Sequence, residues 1–521
     1  MQYKEGNSDT VLGIAASAGV SLIAHSVCRG DPSCSPRPLS LVEAMRELGR
    51  SGGLSTVSSA AMREKIMPLG RDRADAGVAL RRRPDSPVMN RSTTEASSSL
   101  AIVIEYVREL RVAFIGVLVT LIVAPFAMLP YLADDTINRG WANYSWSKSL
   151  HDAVTINRQF IHEQGRFFPG GTIYGVPMWH LLDTRVTYMT FVVLLNLACL
   201  GLVGFVLLQV TRSADVTAIG VIALGACMQI RWVGPDGLSS FSGLIPYTIV
   251  LTILSGLGAA QILRTGRRWW LIPTAIAWTL SVTAYEVTLL MLPAMIVLLF
   301  VANRGRDRIR WMWALAPLVI PAVAEAAIDF YLHSRATAPV PAYQVDLSGP
   351  VGSTFLKQLT AALPSSQHWL RGTPTGTHLS PALSVMLVLL LAFPTFLAWR
   401  RHFAVKAIPQ RLSIGLIVAG SWAWLVPSLL TSVTRRWQTE LVFGQGYISL
   451  PYEYVGVALI LAGVAGLLSG RLRSRGVRIA VVTMLALVLI GCAITVGSNL
   501  VYAGQYVPGP PGPEGAPPTV F

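Results

Sequence analysis

Charge is scarce in this sequence. Only 13% of its 521 residues are Asp, Glu, Lys or Arg, against 52% hydrophobic, whereas a soluble domain carries about 25% charge. That deficit excludes an ordinary water-soluble globule and fits a chain dissolved largely in lipid. Cysteine is scarce too. Of the five, Cys199, Cys227 and Cys492 lie inside apolar runs, and Cys28 and Cys34 lie near the N-terminus. No CxxC and no paired framework appears, which excludes a disulfide scaffold or a thioredoxin-like motif. The sequence also lacks a GxxxxGK[ST] loop, an HExxH, a GxSxG and a convincing Rossmann fingerprint. These absences argue against an ATP-driven pump, a zinc protease and a lipase.

The net charge of +15 would point to nucleic acid in a soluble protein. Here the basic residues fall in short loops between apolar runs, the positive-inside pattern of a membrane protein. No nucleic-acid partner is expected; the lipid bilayer is.

The apolar runs are Val112–Tyr131, Val186–Val210, Val216–Ile230, Phe241–Leu263, Trp269–Thr283, Val287–Ala302, Trp311–Ala327, Pro381–Trp399, Leu412–Leu430, Tyr454–Leu468 and Ile479–Val496. A spanning helix needs about 20 residues, and several runs are shorter. Trp269–Ala302 is too long for one ordinary helix and is split by Ala284-Tyr285-Glu286. The expected fold is all-α: a polytopic integral membrane protein of about eleven transmembrane helices, with interfacial helices in its outer loops.

Residues 1–100, rich in Ser, Gly, Ala and Arg, show no sustained helical period and read as a disordered cytoplasmic tail. The stretch Val11–Val27 within them is apolar but short, and a chain starting at Met89 is expected to insert and fold. Residues 101–500 form the transmembrane domain, and 501–521 a Pro-rich extracytoplasmic tail.

Loops 211–215, 264–268, 303–310, 400–411 and 471–478 are dense in Lys and Arg and hold only two acids, Asp215 and Asp307. This places them and the N-terminus in the cytoplasm and the C-terminus outside, in a multi-pass cell-membrane protein. The remaining acids gather in outer loops or at outer helix ends, as a working surface or as a solvated one.

Asp134-Asp135 follows the first run directly. Paired carboxylates can take a proton from a hydroxyl or bind a divalent cation such as magnesium or manganese; a solvated helix end is the plainer alternative. Loop 132–185 then carries an amphipathic stretch, Ser147–Gln164, with Leu150, Val154, Phe160 and Ile161 at helical spacing. His162 lies within it, and Arg158 and Arg166 can grip a lipid phosphate or simply meet headgroups. Glu286 sits at the tip of the split run, where an acid near hydrocarbon is costly. Asp236 falls in a Pro-Asp-Gly turn, itself an ordinary turn sequence. Glu325 and Asp329 close the seventh run as secondary candidates. Arg435, Arg436 and Gln438 lead an outer cluster with Trp437, Glu440, Gln445, Tyr447, Tyr452, Glu453 and Tyr454. It suits phosphate and sugar hydroxyls, or an interfacial aromatic belt.

With its first-loop acid pair, the interfacial helix behind it, short hairpins with outer-end acids and outer Arg/Gln/Tyr clusters, the chain resembles the GT-C superfamily of polytopic glycosyltransferases over about residues 105–500. The resemblance implies an inverting transfer from a polyprenyl-phosphate sugar donor to a glycan, lipid or protein acceptor. In it, Asp134 or Asp135 takes the acceptor proton, and Arg158, His162, Arg166, Asp236, Glu286, Arg435, Arg436 and Gln438 bind substrate. A secondary transporter or flippase is the second reading and a non-catalytic membrane scaffold the third.

Overall fold

The computed structural model describes residues 115–116, 118–132, 135–231, 236–338, 343–371, 408–469 and 475–505. The N-terminal tail with Val11–Val27, Asp134, the run Pro381–Trp399 and the Pro-rich tail from 506 onward lie outside them. The described residues fall in one compact unit, Glu105–Phe521.

The helices in chain order are α1 (Leu118–Met128), α2 (Trp146–Gln159), α3 (Pro169–Leu181), α4 (Arg185–Thr211), α5 (Ala214–Cys227), α6 (Leu244–Thr265) and α7 (Leu271–Ala284). They continue with α8 (Leu292–Ala302), α9 (Arg308–His333), α10 (Val351–Ala361), α11 (Gln410–Ser432), α12 (Leu450–Ser469) and α13 (Arg475–Gln505). Among the described residues there is no strand, only an isolated antiparallel bridge between Val345 and Thr434. Six helices are long and apolar enough to cross a membrane: α4, α6 with its lead-in from Phe241, α9, α11, α12 and Ile479–Ala503 of α13. The chain is therefore an all-helical, multi-pass membrane protein. Its spans expose Leu194, Phe205, Ile276, Ile320 and Leu487, which suits a lipid surround.

Local sequence sets the helix ends. Thr184 caps α4 by accepting the Thr187 N–H at 3.2 Å, and α4 stops at Arg212 in the left-handed conformation. Ser213 restarts the chain as α5 by accepting the Val216 N–H at 3.4 Å. Asp307 opens α9, accepting the N–H groups of Ile309 and Arg310 at 2.7 and 3.0 Å. Such caps satisfy donors that the first helical turn leaves open. Where α4 begins, Arg185 donates to the carbonyls of Leu129 and Met128 at 3.0 and 2.6 Å, covering acceptors left at the end of α1. Contacts between helix ends bring 212, 264 and 303–306 to one end of the bundle, the basic end, and 135, 188, 241, 286 and 447 to the other, the acidic end.

The predicted split of Trp269–Ala302 is present: α7 ends before an extended Tyr285, and Glu286–Met291 forms a 3-10 turn leading into α8. Helices α11 and α12 pack backbone to backbone. A Cβ on Gly420 would lie 2.5 Å from the Gly456 carbonyl oxygen, and one on Gly456 would lie 2.7 Å from that of Gly420. Small residues permit such close packing where lipid supplies no hydrophobic drive between helices. Helix α9 runs beyond Asp329 to His333, so Glu325 and Asp329 stand within its last turns rather than at its end.

Candidate functional site

Asp135 begins a short helical turn after α1 and is 1% exposed. Its Oδ2 accepts the Tyr188 hydroxyl at 2.7 Å and its Oδ1 the Phe241 N–H at 2.8 Å. Tyr188 in turn accepts the Ser242 N–H at 2.9 Å. These bonds hold an improbable backbone: Phe241, Ser242 and Gly243 all have positive φ, at 57°, 55° and 71°. Non-glycine residues there cost on the order of 1–3 kcal/mol each and persist only where surroundings over-determine them. Asp135 and Tyr188 supply that determination, which makes Asp135 a positioning group. No three His, Cys, Asp or Glu side chains gather as a metal-ligand set among the described residues; Asp134 lies outside them.

Asp236 is spent on the same loop. Its Oδ1 accepts the N–H groups of Leu238 and Ser239 and the Ser239 hydroxyl, each at 2.9 Å. Its Oδ2 accepts the Arg231 N–H at 2.8 Å. Burial pushes this carboxyl up from its ordinary range, while those hydrogen bonds pull it down.

The second cluster is built from distant segments. Helix α2 lies against α3: Asn157 bonds Thr172, and His180 bonds the Ser149 hydroxyl at 2.9 Å while stacking on Trp146. The predicted Ser147–Gln164 helix is α2 followed by a π turn, Phe160–Gln164. The buried side of α2 is Ser149 and Ala153, while Leu150 and Val154 are each 52% exposed. Its apolar stripe thus points away from the protein, as an interfacial helix requires. Gly165 ends the π turn at φ +69°, where a Cβ would lie 2.6 Å from His333 Cα. Only glycine allows this close approach to the end of α9.

That approach delivers Arg166 to Glu286. Arg166 Nη2 and Nε both donate to Glu286 Oε1, at 2.6 and 3.1 Å. Both side chains remain about a third exposed, 31% and 35%, so the pair is worth about 1 kcal/mol at most. Glu286 raises the Arg166 pKa further, against the opposing effect of burial. Asp329 accepts the Phe167 N–H at 3.2 Å. Glu325, Asp329 and Glu286 lie within electrostatic reach of one another, and Tyr447 and Tyr285 flank Arg166. Burial pushes the Tyr447 hydroxyl up to about 12. Glu286 holds the guanidinium, Asp329 lies within its electrostatic reach, and Glu325 stands beside those two carboxylates. Glu286 Oε2 and Glu325 Oε1 are buried without a hydrogen-bond partner.

The 433–449 cluster adjoins this one through Tyr447, which flanks Arg166 and whose ring lies 3.9 Å from that of Trp437. Arg436 pairs with Glu440 at 2.9 Å, donates to the Tyr343 hydroxyl and lies over the Trp437 ring. Gln438 donates to the carbonyls of Asp346 and Ser432 at 2.6 and 3.0 Å, tying loop 343–349 to α11. Arg435 is tethered by its backbone, its N–H donating to the Gln344 carbonyl. Glu453 lies in the first turns of α12, fully buried and held by Gln358, Ser449 and Ser428.

Arg166, Glu286, Glu325 and Asp329 therefore come together, with Arg436 and Gln438 beside them through Trp437 and Tyr447. Arg158 and His162 are exposed on α2 and its π turn. Asp135 and Asp236 form a separate knot, linked to the first cluster through α3, where Tyr174 donates to the Ser242 carbonyl. Sequence reading missed Tyr188, Gln358 and Ser428. A lone hydroxyl or amide in an apolar run carries no signal except its position there. No protein-family model matches the chain, and no curated protein does.

Proposed function

We propose that this protein is a membrane glycosyltransferase that moves a sugar from a polyprenyl-phosphate donor to an extracytoplasmic acceptor. The observation that carries the reading is the Arg166–Glu286 pair with Asp329 and Glu325 gathered beside it at the acidic end of the bundle. Such a site offers a cation for a phosphate and carboxylates for a proton, beside lipid, where a lipid-linked substrate arrives. Arg166 spends Nε and Nη2 on one oxygen, which leaves Nη1 to donate to the donor phosphate.

In the proposed reaction the acceptor hydroxyl oxygen attacks the anomeric carbon, the bond from that carbon to the phosphate oxygen breaks, and polyprenyl phosphate leaves with the bonding pair. The hydroxyl proton passes to a carboxylate. Asp329 is the group proposed for this beside Arg166, because Oδ1 is fixed by the Phe167 N–H while the other oxygen can face substrate. Asp134, next to the positioning group Asp135, is the base proposed for an acceptor entering along loop 132–185. Glu286 orients Arg166.

The full topology of the proposal has about eleven spans. Six are the long helices, and α1, α5, α7 and α8 would cross as short ones; the remaining crossing is Pro381–Trp399. The basic end is proposed to face the cytoplasm. Arg166→Gln should raise the KM for donor at least tenfold with little change in melting temperature, since the ion pair it removes is weak. An unchanged KM would refute the phosphate role. A flippase is the second reading, favoured by the apolar slot between α6 and α8. It predicts lipid movement without sugar transfer.

A further inference from the structure

An apolar slot of about 140 Å³ runs between α4, α6, α8, α11 and α12, from Tyr452 to an opening at the basic end of the bundle. On α6 its wall extends from Ile249 to Arg264, fifteen residues or roughly 22 Å of helix. A cavity of comparable volume in another protein takes up a single benzene ring. Space for about six carbons admits part of a single alkyl chain and no second one. The acidic-end limit is Tyr452, whose hydroxyl is bonded to Thr248 and Thr288, each at 2.6 Å. That end is closed by satisfied polar groups. The other end carries the slot's polar lining: Gln209, Arg264 and Asn303.

Arg264 is drawn into this mouth, where Nη1 donates to Gln209 Oε1 at 3.2 Å. Arg212 and Arg306 are close enough for their charges to act on it. Among the described residues none of the three has a carboxylate partner; the nearby Asp307 pairs with Arg310. Arg264 lines the slot while Arg212 and Arg306 stand exposed within electrostatic reach of it, and an anion between them would relieve their repulsion. The backbone adds an independent sign. Arg212 holds φ at +52°, a conformation that glycine would adopt without cost and that costs an arginine roughly 1–2 kcal/mol. A charged side chain at a strained position is what a binding role would retain.

The geometry points to a site for one anionic phospholipid, its phosphate held by Arg264, Arg212 and Arg306 and part of one alkyl chain laid in the slot. Charge complementarity selects the headgroup, and the slot selects a chain over a free anion. The phosphate takes the place of the missing carboxylate, so the lipid would brace α4, α6 and α8 where their loops meet.

The test uses the full-length protein in detergent micelles, with lipid binding read by native mass spectrometry and by the melting temperature. Three probes are compared: phosphatidylglycerol, phosphatidylcholine and inorganic phosphate. Phosphatidylglycerol should bind one per chain and raise the melting temperature, and the other two should do neither at the same concentration. Arg306→Gln and Arg212→Gly should each weaken binding about fivefold. Arg212→Gly relieves the backbone as it removes the charge, so weaker binding there cannot be laid to misfolding. Ala302→Phe, which fills the slot near its mouth and keeps every arginine, should also abolish binding. Equal binding of phosphatidylcholine would overturn the phosphate assignment. Equal stabilisation by inorganic phosphate, or unchanged affinity in Ala302→Phe, would overturn the chain in the slot. Unchanged affinity in both arginine variants would overturn the site.

Discussion

Replacing Asp135 by Asn separates a positioning carboxylate from a reacting one. The carboxylate accepts two hydrogen bonds, from the Tyr188 hydroxyl at 2.7 Å and the Phe241 N–H at 2.8 Å. An amide has one acceptor oxygen, so one of those donors must face an NH₂ group instead; the other acceptor within reach of the Tyr188 hydroxyl, the Ser239 carbonyl, lies at the longer distance of 3.2 Å. Hydrogen bonds to a charged acceptor contribute about 1.5–3 kcal/mol, and a buried donor left unpaired costs about 1–3 kcal/mol. Asp135→Asn should therefore destabilise the protein by about 2–4 kcal/mol, although it is nearly isosteric. The loss should appear first in the left-handed turn at Phe241, Ser242 and Gly243, because that backbone depends on both bonds. Thermal unfolding in detergent gives the stability, and hydrogen exchange at the Phe241 and Ser242 amides gives the location. Tyr188→Phe should be non-additive with it, with a coupling of about 1–3 kcal/mol. If Asp135→Asn kept its melting temperature and amide protection while losing transfer activity, the carboxylate would be facing substrate and the positioning role would be wrong.

Two further outcomes follow from other parts of the fold. In a background without native cysteines, a cysteine at Lys148 should be labelled by a membrane-impermeant reagent from outside and one at Arg306 spared; the reverse pattern would put the acidic end in the cytoplasm and remove the proposed site from its substrate. Gly165→Ala should destabilise by more than 1 kcal/mol, because the Cβ would meet His333 at 2.6 Å with φ at +69°. It should also lower transfer by displacing Arg166, and a neutral effect on both would contradict the close approach of the π turn to α9.

Much of the helical scaffold was readable because hydrophobicity averages over some twenty residues and does not depend on partners. The break at Tyr285 was equally plain, since Glu286 interrupts two apolar runs. Individual polar groups were much harder. Asp135 looked like a free acid after a span, yet its partners lie 53 and 106 residues away, and one is a backbone N–H that no sequence pattern marks. Gln438 suited a sugar hydroxyl by type, but its amide is used on two carbonyls. Arg166 was read as a phosphate ligand from its place after an amphipathic stretch. Its pairing with Glu286 across 120 residues depends on Gly165 and the end of α9, and so could be seen only in three dimensions. Acids at an outer rim are legible; which of them meet is decided by helix packing.

The central claim is sugar transfer at the acidic end, and it is tested most directly in proteoliposomes supplied with a radiolabelled polyprenyl-phosphate sugar and an extract of envelope glycans, lipids and proteins as acceptor. Wild-type protein should move label from donor to acceptor and release polyprenyl phosphate in equal amount. Asp329→Asn or Asp134→Asn should cut the rate by about 10²–10⁴-fold, the usual worth of general acid–base catalysis, with melting temperature nearly unchanged. Label that crossed the bilayer while remaining on its lipid, or transfer that persisted in both variants, would contradict the account.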